Sequence, residues 1–217
     1  MDFIFEQARV GGDRNFGYLI GDRAAGAAAV VDPSYVPDIL LERAKAQGLS
    51  VKLILNTHGH ADHTHSNARV RQQTGALVAA HFSVPFRSDL ALDDGHCLQV
   101  GGVAIRVTHV PGHTRDHVVF HLPGERIALT GDHLFVGKVG GTDSDEASRL
   151  EYESLQRLLR EFPDETTVWP GHDYGCRPSS TILLEKLANP FLRVRGFEEF
   201  LELKRDWAAF KARHGLR

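Results

Sequence analysis

Two residue classes are scarce in this chain of 217 residues, and their scarcity excludes whole functions. Cysteine occurs twice, at Cys97 and Cys176, far apart and without CxxC spacing. Nothing supports a disulfide between them, and two buried or idle thiols are expected. Basic residues are in no surplus: the net charge is −3 with histidine neutral, which argues against a nucleic-acid partner. No apolar run approaches the ~18 residues that a membrane span requires. The start, Met1-Asp2-Phe3-Ile4-Phe5-Glu6, lacks the basic opening and apolar core of a secretory signal. Together these absences predict a cytoplasmic protein. No linker composition and no internal repeat is visible, so residues 1–217 are expected to form one domain. The apolar fraction of 42% and charged fraction of 24% suit a protein that buries a full core. One count is high instead: 13 histidines.

Three of those histidines, with one aspartate, fall inside Thr57-His58-Gly59-His60-Ala61-Asp62-His63. The preceding run, Val51-Lys52-Leu53-Ile54-Leu55, reads as a buried strand. A spacing of two would turn His58 and His60 apart on a helix but toward one side on an extended strand end. Asp62 and His63 are neighbours, so they serve one metal through a turn, or two sites from one loop. The stretch reads as a metal-binding loop at the carboxyl end of a core strand.

Along the chain, strands are predicted at Phe3–Val10, Phe16–Ile20 and Ala27–Val31, then a helix from Pro37 to Gly48. After the ligand loop come a helix at Asn67–Thr74 and a strand at Ala76–Ala80. The segment 82–95 is mixed, broken by Pro85 and Asp93-Asp94-Gly95. Four strands without a helix follow between 97 and 130, then a helix over 146–161 and a strand at Thr166–Trp169. From about residue 182 a short helical tail is expected as two helices split at Asn189-Pro190. This order predicts an α/β fold with two sheets sandwiched between helices rather than one alternating parallel sheet.

Three further strands end in small-residue turns bearing a ligand type: Pro111-Gly112-His113, Gly131-Asp132 and Pro170-Gly171-His172. A glycine before each lets the backbone fold tightly enough for the side chain to reach a shared point. Each turn alone is ordinary; together with the His/Asp loop they reinforce one another. His58, His60, Asp62, His63, His113, Asp132 and His172 exceed the need of one structural zinc and include no thiolate. They suit two divalent ions, three His for one, one Asp and two His for the other, and a bridging carboxylate. Such a centre is hydrolytic, with ions about 3.5–4 Å apart sharing a hydroxide. His and carboxylate accept Zn, Fe or Mn, with Zn the first expectation.

The motifs THGHADH, PGHT, TGD and PGHD resemble those of the metallo-β-lactamase superfamily. The resemblance implies an αββα sandwich of two mixed sheets with the metals at one sheet edge. It implies that His58, His60 and His113 hold the first metal, that Asp62, His63 and His172 hold the second, and that Asp132 bridges them. His60, where some relatives carry Glu, argues against the flavin-partnered di-iron reductases of the superfamily.

Within it, Pro111-Gly112-His113-Thr114, Thr130-Gly131-Asp132 and the run at 137–143 are similar to the glyoxalase II (hydroxyacylglutathione hydrolase) branch, as is the tail from Ser180 to Leu192. The implied reaction is hydrolysis of a small-molecule thioester derived from glutathione, with Asp62 orienting the nucleophile besides binding metal. The chain departs from the branch at Lys138-Val139-Gly140-Gly141, where relatives carry Gly-Cys-Gly followed by Arg or Lys. Lys138, Tyr174 and Arg177 are the candidates to bind substrate in place of that basic residue. The chain after His172 is short for a full glutathione-binding extension. Two alternatives stay open. Persulfide dioxygenases share HADH and use one iron, here on His58, His113 and Asp132; lactonases and other ester hydrolases share the ligand set.

Overall fold

Segments with apolar residues on one face pair into sheets only where a second layer covers that face, and here each half of the chain builds one sheet. The computed structural model describes residues 1–215. The first sheet runs, in spatial order, β1 (Phe3–Arg9), β2 (Phe16–Asp22), β3 (Ala27–Val31), β4 (Ser50–Leu55), β5 (Leu77–His81) and β6 (Leu90–Leu92). β1 to β3 are antiparallel, with Phe5 opposite Ile20 and Tyr18 opposite Val31. From β3 to β6 the pairing is parallel, Val31 meeting Leu55 and Leu55 meeting Ala79. Parallel neighbours need crossovers, supplied by α1 (Asp38–Ala46) and, after the single turn α2 (Ala61–Thr64), by α3 (Asn67–Thr74).

The second sheet is β12 (Ser180–Thr181), β11 (Thr167–Pro170), β10 (Ile127–Gly131), β9 (Val118–Leu122), β8 (Val103–His109) and β7 (Cys97–Val100). Only β10–β11 is parallel, bridged by α4 (Asp145–Glu161). That helix starts where Ser144 Oγ accepts the Ala147 amide at 3.1 Å, with Asp145 and Glu146 in its first turn. Its apolar side buries Leu155 and Leu158. The tail is α5 (Ile182–Ala188), α6 (Phe197–Arg205) and α7 (Trp207–His214).

Three apolar layers result. Phe16, Tyr18, Ile20, Leu55, Ile105, Val107, Phe120 and Leu129 fill the space between the sheets. Leu40, Ala44 and Val70 pack α1 and α3 on the first sheet. Leu155, Leu158, Ile182, Phe191 and Phe200 pack α4 and the tail on the second. The expected αββα sandwich is therefore present.

Four local readings differ. β6 emerges from the segment read as mixed, and β12 from a stretch given no element. The ligand loop contains one helical turn, and the tail has three helices, the extra break falling at Asp206. Cys97 and Cys176 are free and exposed, unpaired as expected.

The sheets are stitched together by backbone at the edge that carries the ligand turns. Phe16 N donates to Gly171 O (2.8 Å), and Val118 N donates to Thr57 O (2.8 Å).

Candidate metal centre

The seven sequence-predicted ligands converge on this stitched edge. β4 ends at Leu55, the chain bends at Thr57 and His58, and His60 is extended (φ −64°, ψ 143°) where the next turn begins. His58 Nε2 lies 3.0 Å from His60 Nδ1, and His113 Nε2 lies 3.1 Å from the same atom. His63 N and Thr64 N both donate to His60 O, closing the α2 turn. That turn brings Asp62 and His63 to a single point, deciding between the two options their adjacency left open. His63 Nε2 is 3.2 Å from His172 Nε2, while Asp62 Oδ2 lies 3.5 and 3.4 Å from these nitrogens.

Ligands on one tetrahedral ion at 2.0–2.1 Å stand roughly 3.3 Å apart. The two triads, His58/His60/His113 and Asp62/His63/His172, have that spacing. Asp132 lies between them, with Oδ2 3.7 Å from His113 Nε2 and 3.2 Å from His172 Nε2, and Oδ1 3.4 Å from His63 Nε2. Its Oδ1 is buried without a hydrogen-bond donor, a cost that coordination would relieve. Gly171 is needed beside it, since a Cβ there would stand 2.3 Å from Asp132 Oδ1.

Every outer ring nitrogen but one is held. His58 Nδ1 meets Thr57 Oγ1 (3.0 Å), which donates to Asp32 Oδ2 (2.6 Å). His63 Nδ1 donates to the same Asp32 oxygen (3.0 Å). His113 Nδ1 donates to Gly141 O (2.7 Å), and His172 Nδ1 to Asp13 O (2.8 Å). Asn15 Nδ2 donates to Asp62 Oδ2 (2.9 Å). Such contacts set ring tautomer and direction for a metal. Asp32, Asn15, Thr57 and the Asp13 and Gly141 carbonyls were not among the sequence candidates. Asp32 alone carried a signal, an aspartate at a strand end like those of the ligands.

Electrostatics divides the site. Burial, reinforced by the surrounding imidazoles, holds His58 well below its ordinary value, which suits it to bind as a neutral imidazole. At His172 burial is opposed and overcome by hydrogen bonds to Asp132 and Asp62, which push it up to about 10. At Asp62 the His172 hydrogen bond outweighs burial and holds the carboxyl well below its usual range. A place that stabilises a proton between carboxylates is one a divalent cation takes over, releasing that proton. The donor set fits divalent metal and includes no thiolate.

Of the substrate candidates, two border the centre. Tyr174 stacks on His172 (centroids 4.6 Å, 7°), its hydroxyl donating to Asp13 Oδ2 (2.7 Å). Lys138 Nζ stands 4.2 Å from the Tyr174 ring centroid and 5.0 Å from that of Phe135. Arg177 instead reaches the Ser180 hydroxyl (3.4 Å) and shares no polar contact with the seven. A cavity of about 370 Å³ opens beside Lys138 and Gly141, with Asp143, Phe191 and Trp207 in its wall. A second, of about 200 Å³, borders His113 and Ser144.

Two mixed sheets stitched at one edge, with such a His/Asp cluster on the seam, define a class of proteins, and the chain belongs to it: the metallo-beta-lactamase superfamily, whose model matches residues 10–82 and 80–172. Among its relatives is a hydroxyacylglutathione hydrolase of Maricaulis maris, 35% identical, the match covering 82% of each chain. Among solved structures it is similar to ETHE1 from Myxococcus xanthus, 32% identical with a TM-score of 0.87 over 94% of this chain and 91% of that one. It is also similar to TTHA1623 in a di-iron-bound form, 29% identical with a TM-score of 0.71 over 86% of this chain and 100% of the other.

Proposed function

We propose that this protein is a dinuclear metal hydrolase that cleaves thioesters of the hydroxyacylglutathione kind. One observation carries the reading: two complete ligand triads share the Asp132 carboxylate between them. His58, His60 and His113 would hold one ion, Asp62, His63 and His172 the other. Bound there, two divalent ions supply Lewis acidity to water and to an acyl carbonyl.

The chain's own residues do the rest. Asp62, its Oδ2 fixed by Asn15, orients the attacking water besides holding the second ion. Lys138, on the Tyr174 and Phe135 rings, offers a cation to an anionic substrate group. The cavity beside Gly141 gives room for the thiol half. A thiolate leaves without a protein acid, so none is required. The relatives named hydroxyacylglutathione hydrolase support this substrate class.

The likeness to ETHE1 over nearly the whole chain favours a second reading, a one-iron persulfide dioxygenase using His58, His113 and Asp132. It leaves the assembled Asp62/His63/His172 triad without an ion. Two parallel measurements decide. Purified protein should carry two ions per chain and hydrolyse S-lactoylglutathione. One iron, with oxygen uptake on glutathione persulfide and no thioester cleavage, would reverse the choice. Cleavage of lactones but not thioesters would keep the centre and change the substrate.

A further inference from the structure

Lys204 of α6 and Glu151 of α4 form an ion pair with side-chain exposures of 10% and 0%. Burying a lysine against a carboxyl is costly whichever of them holds the proton, and well-packed apolar residues would stabilise the same space as well or better. Neither residue belongs to the ligand motifs. What they touch explains their presence.

Lys204 Nζ donates to Glu151 Oε2 and, at 2.9 Å, to the carbonyl of Gly140. The next carbonyl along, that of Gly141, accepts from His113 Nδ1 at 2.7 Å. Gly140 is wedged between two ligands: a Cβ there would lie 2.1 Å from Asp132 O and 3.1 Å from the His113 ring. From the other side, α4 bears on the loop that carries His113. Ser154 Oγ donates to Pro111 O (2.9 Å), and a Cβ on Gly112 would strike the Glu151 backbone, 2.4 Å from its Cα. The two helices thus grip both segments that meet at His113, and the ion pair is the only charged contact joining that grip to the Gly140 turn among the described residues. Lys204 lines the cavity beside Gly141, but its ammonium is committed to the Glu151 carboxyl and the Gly140 carbonyl.

We infer that Lys204 and Glu151 are positioning residues for the first metal: they fix the Gly140–Gly141 turn, whose carbonyl orients His113. The C-terminal tail therefore takes part in building the centre. The inference rests on the two-metal reading, and its failure has a separate signature.

The test is zinc titration of the full, metal-stripped chain against a chromophoric chelator. Lys204→Met should weaken one of two sites about 10–100-fold, the range for lost outer contacts to a ligand, and leave the other unchanged. Thioester turnover should show a lower kcat with little change in KM, and Lys204→Arg should recover most of both. Lys204→Met alone leaves Glu151 buried without its partner, so the double variant Lys204→Met/Glu151→Gln separates roles. It should unfold near the wild-type midpoint yet keep one weakened site. A folded single or double variant with both zinc affinities at wild-type level overturns the inference, and so does a double variant that does not fold, which marks the pair as structural. Wild-type protein that takes up only one ion refutes the two-metal reading instead.

Discussion

His60 is the proposed ligand whose role can be tested with least disturbance. It is exposed, and its Nδ1 stands 3.0 and 3.1 Å from the His58 and His113 nitrogens. His60→Ala should abolish most turnover and one metal site while changing unfolding free energy by less than about 0.5 kcal/mol, read by activity, metal content and urea titration. Full activity in that variant would speak for the one-iron reading. Asp32 is the contrasting case. Its buried carboxylate accepts from Thr57 N, Thr57 Oγ1 and His63 Nδ1, so Asp32→Ala strands three polar groups. The expected cost is about 1–3 kcal/mol in urea unfolding, with second-site affinity down about 10–100-fold. At this scale the seven ligands were legible because each follows an apolar strand and a small-residue turn. Asp32, Asn15 and the Gly141 carbonyl were not: a strand-end aspartate before proline reads as a cap, and a backbone carbonyl carries no residue identity.

At the scale of the element, α4 holds a group that gives the fold a pH dependence. Burial, against the pull of Lys204, pushes the Glu151 carboxyl from 4.5 up to about 8. A raised folded-state value favours folding while the group keeps its proton. That contribution is complete below 4.5 and is lost as pH climbs through about 8. The stability of metal-stripped wild type relative to Glu151→Gln should therefore fall across that window, by up to about one proton's slope, and level off above it. Denaturant titrations at a series of pH values measure it; parallel curves would mean Glu151 is ionised throughout. The main strands and helices were readable, since β2 and β10 are mostly apolar stretches buried throughout and α4 has both a serine cap and an apolar stripe. β6 and β12, of three and two residues, are too short to show a period of two. α2 is one turn made of ligands, which have no apolar pattern to reveal it. The break at Asp206 (φ −103°, ψ 16°) falls where neither proline nor glycine marks it.

For the molecule as a whole, the centre joins the sheets: His58, His60, Asp62 and His63 follow β4, while His113, Asp132 and His172 follow β8, β10 and β11. Ions bound there stabilise only the folded arrangement. Stripping metal with a chelator should lower the thermal midpoint, and resupply should restore it. The gain grows to about 4.1 kcal/mol when free ion stands 1,000-fold above its Kd. An unchanged midpoint would mean that the seven side chains hold no metal. Among the described residues no helix is long and apolar enough to cross a membrane.

One sheet is made wholly before Asp93 and the other wholly after His96, so the turn between them is a natural place to cut. Each fragment would carry an open apolar face and an incomplete share of the clasp. Alone, neither could grip a pair of cations; mixed together, the fragments would have the cations as the rivet that makes them one body again.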